Sequence, residues 1–381
     1  MGIVVGVDAS RNRSGGAKAH IIGVLRSADP TAHGVDKVHL WSYRGLLDAI
    51  PDMPWLVKHS PQELESTLLH QVVWQYRSLP VEAANQGCDI LLNTDAGTVC
   101  PFTPAVTMSR DMLSFEEKEM NRFGFSPMWL RLLLLKYVQS RSLKKAQGAI
   151  FLTEYAANVI QDYTGRLANA AIVPHGIGES FRRESSLGVW TERQNKEIRC
   201  IYVSNALLYK HQWHVIRACY KLRSKGFPVS LLLVGGGEGK AQEMLLAEIT
   251  LSDPMREFVR QLDFVEHARI PELIADSDIF IFASSCENMP NTLVEGMAGG
   301  LPIASSNRGP MPEVLKDGGV YFDPENPESI ATAVERIVSD EKLRRFVASR
   351  AKALSEQYSW QRCAAETYRF LGETALKAKA K

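Results

Sequence analysis

The chain has 381 residues, of which 45% are hydrophobic and 23% are charged, a composition typical of globular proteins with two domains at this length. Lys and Arg total 44 and Asp and Glu total 43, so the formal net charge of +1 gives no general attraction to nucleic acid. The six cysteines include no CxxC pair, which argues against a zinc finger or a thioredoxin-like site.

The beginning of the chain predicts a strand rather than a targeting segment. Residues Met1–Asp8 lack the basic start of a signal peptide. No apolar run along the chain approaches the roughly 20 residues that a membrane-spanning helix needs. We therefore expect reduced thiols and a cytoplasmic protein, either free or at the inner face of the plasma membrane.

Short apolar, β-branched runs recur along the whole chain. In the first half they predict strands over Ile3–Val7, Val38–Tyr43, Asp89–Asn93, Ala105–Met108, Ala149–Thr153 and Ala171–Val173. In the second half they predict strands over Ile198–Ser204, Val229–Val234, Phe258–Val265, Asp278–Ala283, Pro302–Ser305 and Val320–Phe322. Helical patterns lie between many of them, including Gln212–Lys225, Glu243–Leu251 and Pro271–Ala275. Alternation of this kind indicates doubly wound parallel sheets covered on both faces.

The alternating pattern starts twice, so we predict two domains. The segment 174–196 is rich in Gly, Ser and charge and poor in strand signal, and it is the predicted linker. The first domain would cover residues 1–173 and the second residues 197–358. Ligands of doubly wound sheets bind beyond the carboxyl ends of the strands, so the strand-to-helix loops are the candidate site.

The loop and helix start at Ser284–Ala298 carry two carboxylates. Glu287 would lie in the loop after a strand, and Glu295 about one turn into the next helix. The free amides of Asn291, Thr292 and Leu293 at that helix start would suit a diphosphate. The alternative is that Glu287 is a solvated loop residue and Glu295 only complements the helix dipole.

This segment resembles family 4 retaining glycosyltransferases of the GT-B fold. The resemblance lies in Glu287-x7-Glu295 after Ser-Ser, followed by Gly-Met-Ala-Gly-Gly-Leu-Pro-Ile-Ala, and it extends through Pro312–Val314 and Gly318–Pro324. It implies two doubly wound Rossmann-like domains facing a central cleft, with an acceptor-side first domain and a C-terminal helix over 359–372 that packs back on it. It also implies a nucleotide-diphosphate sugar as donor.

The resemblance assigns roles to individual residues of the second domain. Glu287 would contact the transferred sugar and Glu295 the ribose, while the backbone near Val265 would contact the base. We count the whole helix start as donor-binding, namely Met289, Pro290, Asn291, Thr292 and Leu293.

The loop Ile201–His211 is expected to hold the phosphate from the other side. The resembled family has a glycine, an arginine and a lysine in this loop, and both bases grip the diphosphate. Here Ser204 stands in the glycine position, Asn205 in the arginine position and Lys210 in the lysine position. The loss of one charge-assisted contact costs about 2–4 kcal/mol unless another base replaces it. A solvated Lys210 at a helix start is the alternative.

Two features of the first domain complete the predicted site. Gly15 and Gly16 match a glycine-rich loop of the family, although a plain turn is an equal alternative. Arg110 stands where many members have a histidine that lines the transferred sugar. We predict that Arg110 supplies a cation near the donor phosphate. The alternative is a structural salt bridge with Asp111 or Glu116.

Neighbouring segments indicate where the protein acts. Asp111–Glu116 and Ile150–Ala156 resemble a subgroup associated with bacterial surface polysaccharide assembly. Residues 129–145 predict a basic amphipathic helix that suits peripheral membrane contact and a lipid-linked acceptor, with a core-packed helix as the alternative. No His, Asp or Glu cluster has metal-ligand spacing, and we expect neither a metal nor another cofactor.

We therefore predict a retaining, metal-independent hexosyltransferase with Glu287, Lys210 and Arg110 as catalytic residues. It would transfer a sugar to a glycan or lipid-linked acceptor in the biosynthesis of O-antigen, capsule or a similar polysaccharide. Two alternatives stay open at this point: a nucleotide-sugar epimerase or hydrolase of the same fold, and a non-catalytic subunit that binds nucleotide sugars.

Overall fold

The computed structural model describes residues 2–13, 15–182 and 197–380, and it forms two compact units. The first unit comprises Met1–Gly176 together with Tyr358–Lys381, and the second comprises Ile177–Gln357. Within the predicted linker 174–196, residues 183–196 lie outside the described residues, as does Ser14.

The first unit is built on a seven-stranded parallel sheet with the order β3-β2-β1-β4-β5-β6-β7. Its strands are β1 Ile3–Asp8, β2 Val35–Trp41, β3 Leu56–His59, β4 Ile90–Asn93, β5 Ala105–Met108, β6 Gly148–Phe151 and β7 Ala170–Ile172. Its helices before the second unit are α1 Gly15–Arg26, α2 Arg44–Leu47, α3 Leu68–Arg77, α4 Leu79–Asn85, α5 Glu117–Met120, α6 Pro127–Lys145 and α7 Glu154–Thr164.

The second unit is built on a six-stranded parallel sheet with the order β10-β9-β8-β11-β12-β13. Its strands are β8 Ile198–Val203, β9 Val229–Val234, β10 Val259–Leu262, β11 Ile279–Phe282, β12 Ile303–Ser306 and β13 Val320–Phe322. Its helices are α8 Gln212–Ser224, α9 Lys240–Ser252, α10 Ile270–Ala275, α11 Asn291–Ala298, α12 Met311–Leu315, α13 Pro327–Ser339 and α14 Glu341–Ser355. The last helix, α15 Trp360–Lys379, returns to the first unit and packs on α1.

Both sheets have the burial expected of strands that helices cover on two faces. All four residues of β4 and all four of β11 are buried, and each strand is almost wholly apolar. The prediction of two doubly wound α/β domains is confirmed. Several predicted strands also have the observed bounds, including Val229–Val234 and Val320–Phe322.

One predicted strand is too long, and one observed strand was not predicted. The strand predicted over Phe258–Val265 ends at Leu262, and the residues from Asp263 onward form an exposed loop instead. Strand β3 was not predicted, and its residues Leu-Val-Lys-His are all partly exposed. An edge strand pairs on one side only, so it needs no continuous apolar run.

The strand order of the second sheet fixes where its loops converge. The chain runs outward from β8 to β9 and β10, and then returns to place β11 on the other side of β8. The loops that follow β8 and β11 therefore leave neighbouring strands in opposite directions. A reversal of this kind opens a crevice where doubly wound sheets bind ligands.

Candidate functional site at the reversal of the second sheet

The loops after β8 and β11 are bonded to each other. The amide of Ser285 donates to the carbonyl of Tyr209 at 2.8 Å, and the hydroxyl of Ser285 lies 2.8 Å from Nε2 of His211. His211 is fully buried and has a left-handed backbone, with φ of 51°. These contacts hold the segment before α8 against the segment that leads to α11.

Lys210 and Glu287 form a direct ion pair across this junction. Lys210 ends a short 3-10 helix, and its carbonyl accepts a 2.8 Å bond from the hydroxyl of Tyr202. Its ammonium donates to Oε1 of Glu287, and both side chains are largely buried. The residue predicted to hold the phosphate and the residue predicted to contact the sugar thus lie together, although 77 positions separate them in the sequence. Neither side chain is the solvated surface group of the alternative interpretation.

Glu295 lies in α11 and is bonded to a histidine. Its side chain is 9% exposed, and Oε1 accepts a 3.0 Å bond from Nε2 of His267. Burial raises the pKa of Glu295, and the hydrogen bond to Glu295 raises the pKa of His267. The second carboxylate oxygen, Oε2, is buried and has no hydrogen-bond partner among the residues that the structure describes.

The start of α11 offers backbone donors. The helix begins at Asn291 after Pro290, and no side chain caps it. The amides of Thr292 and Leu293 belong to the first helical turn, which has no intrahelical acceptors. Met289 and Pro290 are buried against the unit, while Asn291 and Thr292 are partly exposed. A helix start of this kind suits an anion.

The other predicted donor-binding residues of this unit vary in exposure. Ser204 is buried, and its carbonyl accepts a 2.9 Å bond from the side chain of Gln212. Asn205 is exposed, and Val265 is partly exposed in the loop after β10.

Arg110 lies in the first unit, beyond the end of β5. Its side chain is 10% exposed, and Nη2 lies 3.5 Å from Oδ2 of Asp95 and 3.4 Å from Oδ1 of Asn12. Its Nε and Nη1 are buried without a partner among the described residues, and burial lowers the pKa of the guanidinium. The alternative prediction of a salt bridge named the wrong partner, because Arg110 pairs with Asp95 instead of Asp111 or Glu116.

Gly15 and Gly16 do not form a loop. They are exposed and open helix α1, and a Cβ added to Gly15 would meet nothing within 4 Å. The prediction of a glycine-rich loop is therefore wrong in conformation. The two residues still lie at a helix start beyond the carboxyl end of β1, where backbone amides are free.

Sequence reasoning missed several residues that support the predicted ones. Asn12 and Asp95, which flank Arg110, follow β1 and β4, and these two strands neighbour each other at the reversal of the first sheet. Their position directly after strands could have identified them as candidate site residues from the sequence. His267 also follows a strand, but neither it nor His211 could be paired from the sequence, because their partners Glu295 and Ser285 are distant in sequence.

Helix α6 has a largely uncovered apolar surface. Of its residues only Leu132, Gln139 and Leu143 are buried. Leu130, Leu134 and Tyr137 are 63–64% exposed, and Phe125, just before the helix, is 98% exposed. One face of α6 thus packs on its own unit, as the core-packed alternative expects, while the opposite face exposes apolar side chains.

No helix in the described part of the chain is long and apolar enough to cross a bilayer. The described residues also contain no group of three or more His, Cys, Asp or Glu side chains that could hold a metal ion.

The second half of the chain matches a known protein family. Residues 190–354 match the family model of glycosyl transferases group 1. An uncharacterized glycosyltransferase of Methanocaldococcus jannaschii is 30% identical over 191 residues, which is 49% of this chain and 46% of that protein. O-antigen chain mannosyltransferase B of Escherichia coli is 29% identical over 110 residues, 29% of each protein. The chain thus spans less than half the length of these two curated relatives.

Solved structures resemble the whole chain. Sucrose-phosphate synthase from Thermosynechococcus elongatus has a TM-score of 0.76 at 14% identity, with 99% of both chains covered. The Anabaena protein HepE in complex with UDP has a TM-score of 0.71 at 18% identity, covering 97% of this chain and all of that one. At these identities the likeness concerns the fold, which is that of GT-B glycosyltransferases. Together the comparisons show that residues 190–354 are similar to group 1 glycosyltransferases and that the whole chain has the GT-B fold.

Proposed function

We propose that this chain is a retaining glycosyltransferase that moves a hexose from a nucleotide-diphosphate sugar to a glycan or lipid-linked acceptor. The observation that carries the proposal is the contact of Lys210 with Glu287 at the reversal of the second sheet, within the segment that matches the family model. The relative named as an O-antigen mannosyltransferase supports a role in bacterial surface polysaccharide synthesis.

In the proposed complex each residue has a distinct task. The amides of Thr292 and Leu293 and the ammonium of Lys210 hold the diphosphate, and Glu287 accepts hydrogen bonds from hydroxyls of the sugar. In the free protein Lys210 and Glu287 neutralise each other. Donor binding exchanges that contact for phosphate on the lysine and hydroxyl groups on the glutamate.

The proposed reaction needs no nucleophile from the protein. The acceptor hydroxyl attacks the anomeric carbon on the face from which the diphosphate departs, and an oxygen of the leaving phosphate takes the hydroxyl proton. The bond from carbon to the phosphate oxygen breaks as the bond to the acceptor oxygen forms. Lys210 and the helix amides stabilise the charge that develops on the leaving diphosphate, and Arg110 is proposed as a further cation.

We also propose that α6 rests on a membrane surface where a lipid-linked acceptor is held. The charged side chains of the helix itself are all basic, namely Arg131, Lys136, Arg141, Lys144 and Lys145, and Lys136 pairs with Glu117 at 3.7 Å. An apolar face with basic neighbours suits the interface of an anionic bilayer.

One observation favours a second candidate function, a subunit that binds nucleotide sugars without turnover. Asn205, in place of the family's arginine, is exposed and uncharged, so this loop supplies one cation fewer. Such a subunit would bind a donor but would transfer no sugar to any acceptor. An epimerase or hydrolase would instead convert the donor in the absence of an acceptor.

A thermal-shift screen over UDP-, GDP-, ADP- and TDP-sugars tests donor binding. A donor at about 100 times its Kd stabilises the protein by ~2.7 kcal/mol, which raises the Tm of a unit of this size by about 5–10 °C. We expect such a shift for one nucleotide class, and a much smaller shift in Lys210→Met because the phosphate loses its cation. Lys342→Met, which removes an exposed lysine from α14, should keep the full shift.

The donor identified by this screen is then used to measure turnover. The donor that shifts Tm, labelled in its sugar, is incubated with the protein, with and without lipid and glycan extracts of a bacterial envelope. Label that moves into the extract supports transfer, whereas free sugar or epimer without extract supports the hydrolase or epimerase. The absence of a shift with every nucleotide sugar contradicts the proposal.

A further inference from the structure

His211 has a backbone conformation that its residue type disfavours. It precedes α8 with φ of 51° and ψ of 30°, in the left-handed region. A residue with a Cβ meets its neighbouring carbonyl there, which glycine avoids and asparagine tolerates better than most. Strained residues of this kind persist only where the surrounding structure holds them, and they cluster at functional sites. The contacts that hold His211 therefore indicate what it does.

The side chain of His211 is fixed to the loop that leads to α11. His211 is fully buried, and its Nε2 lies 2.8 Å from Oγ of Ser285. Ser285 also donates to the carbonyl of Tyr209, through its amide at 2.8 Å and through its hydroxyl at 3.3 Å. A hydroxyl has one proton, so Nε2 of His211 carries the N–H that donates to Ser285. Three hydrogen bonds thus join the two loops at Ser285.

Lys210 directly precedes this anchored histidine. Its carbonyl accepts a 2.8 Å bond from the hydroxyl of Tyr202, which fixes the peptide that links Lys210 to His211. Its ammonium donates to Glu287, two positions after Ser285 in the other loop. One loop thus carries the cation of the proposed site and the other its carboxylate. The bond from His211 to Ser285 joins the two loops beside them.

We propose that His211 is a positioning residue whose bond to Ser285 holds the ammonium of Lys210 where the donor diphosphate binds. The inference rests on the proposed function, because it requires that Lys210 binds a phosphate. In the free protein the ion pair with Glu287 also joins the two loops. Donor binding breaks that ion pair, and the bond from His211 to Ser285 then keeps the loops at the same spacing. A cation held in place before binding contributes more to affinity, because less freedom is lost when the phosphate arrives.

The variant His211→Asn tests the inference on the full chain. Asparagine tolerates the left-handed backbone, but its side chain is too short to reach Ser285. Calorimetry with UDP, GDP, ADP and TDP gives the Kd of the nucleotide that binds. We expect His211→Asn to raise that Kd about tenfold, because the ammonium of Lys210 is no longer held in place. His211→Gln carries an N–H donor with a reach similar to that of Nε2 and should recover part of the affinity.

A second variant removes the same bond from its other end. Ser285→Ala lacks the acceptor and should raise Kd by a factor similar to that of His211→Asn. The double variant should bind about as well as either single variant, since all three lack the same interaction.

The matched control lies elsewhere in the second unit. Arg256 is exposed and also has a left-handed backbone, with φ of 57°. Arg256→Asn therefore introduces the same residue in the same conformation and should leave Kd unchanged. A thermal melt of each variant shows that it is folded before its Kd is compared. If His211→Asn does not fold, the Kd of Ser285→Ala decides.

The outcomes separate the inference from the function on which it rests. A folded His211→Asn variant with an unchanged Kd overturns the inference alone, because a merely structural histidine affects Tm and not Kd. If His211→Gln binds no better than His211→Asn, or if the losses of the two single variants multiply in the double variant, the inference is overturned as well. If none of the four nucleotides binds to the unmodified protein, the proposed function fails and the inference fails with it.

Discussion

Arg110 illustrates how a single side chain bears on the proposed chemistry. Its guanidinium has only one ion pair, with Asp95 at 3.5 Å, and two of its nitrogens are buried without a partner among the described residues. A buried guanidinium usually has its N–H donors satisfied, since each unpaired donor costs free energy. The incomplete set of bonds is the reason to expect an anionic group of a ligand at this position.

We predict that Arg110→Ala lowers kcat/KM by about 100-fold or more, because a charge-assisted donor to the transition state is lost. Arg110→Lys should recover only part of the activity, since an ammonium lacks the fork of parallel donors. Steady-state kinetics with the donor from the thermal-shift screen measure both effects. Arg345→Ala, which removes an exposed i,i+4 pair with Glu341, is the matched control. Unchanged kinetics in Arg110→Ala would leave the residue a structural partner of Asp95.

At the scale of elements, helix α11 matters most because it carries Glu295 and the free amides. The helix lies directly on β11: a Cβ added to Gly296 would come within 2.7 Å of the ring of Phe280. Phe280 is fully buried in the sheet and has no room to move aside. Gly296 therefore sets the distance between helix and sheet, and Glu295 is its immediate neighbour.

Gly296→Ala should consequently destabilise the second unit by about 1–3 kcal/mol through overpacking, although alanine favours a helix intrinsically. Displacement of α11 should also weaken nucleotide binding. Urea unfolding and calorimetry measure the two effects separately. Gly178→Ala is the control, because a Cβ there meets only ordinary contacts with Ser180 and Phe181. If the Gly296→Ala variant were as stable as the unmodified chain, the close approach of α11 to Phe280 would be refuted.

At the scale of the whole molecule, the exposed apolar surface is unevenly distributed. The first unit exposes a series of apolar residues on α6, together with Phe125 before it. The second unit exposes apolar side chains too, among them Leu251 and Met255 at 75% and 77%. Helix α6 combines its exposed apolar residues with five basic and no acidic side chains, whereas the exposed apolar helix α3 carries a single charge, Arg77.

We predict that the full chain partitions onto vesicles with anionic lipid and less onto zwitterionic vesicles. Leu130→Gln combined with Leu134→Gln should lower that partition by about tenfold or more, because burial of each leucine contributes up to ~1.5–3 kcal/mol. High salt should weaken it as well, since the basic residues are screened. Co-sedimentation with vesicles measures the partition.

The control for this prediction lies in the other unit. Leu251→Gln combined with Met255→Gln removes apolar surface of similar exposure and should leave partition unchanged. Equal partition of the α6 variant and the unmodified chain would contradict the membrane proposal while leaving donor binding unaffected.

The sequence by itself determined the two sheets and the loops that bear the candidate site. Strands covered on both faces must be continuously apolar, so β11 and its neighbours are evident in a local pattern. The edge strand β3 was missed because one-sided pairing imposes no such pattern. Glu287, Glu295 and Lys210 lie after a strand or at a helix start, positions that the chain encodes locally, but their assignment to the site also required the family resemblance of the surrounding segments.

Only the tertiary structure decided which side chains meet. Lys210 reaches Glu287 because β11 returns beside β8, and His267 reaches Glu295 because the loop after β10 lies near α11. The partner of Arg110 proved to be Asp95, not the acids nearest in sequence, for the same reason. Burial follows from residue type and spacing, but contacts across crossovers depend on strand order, which no local pattern specifies.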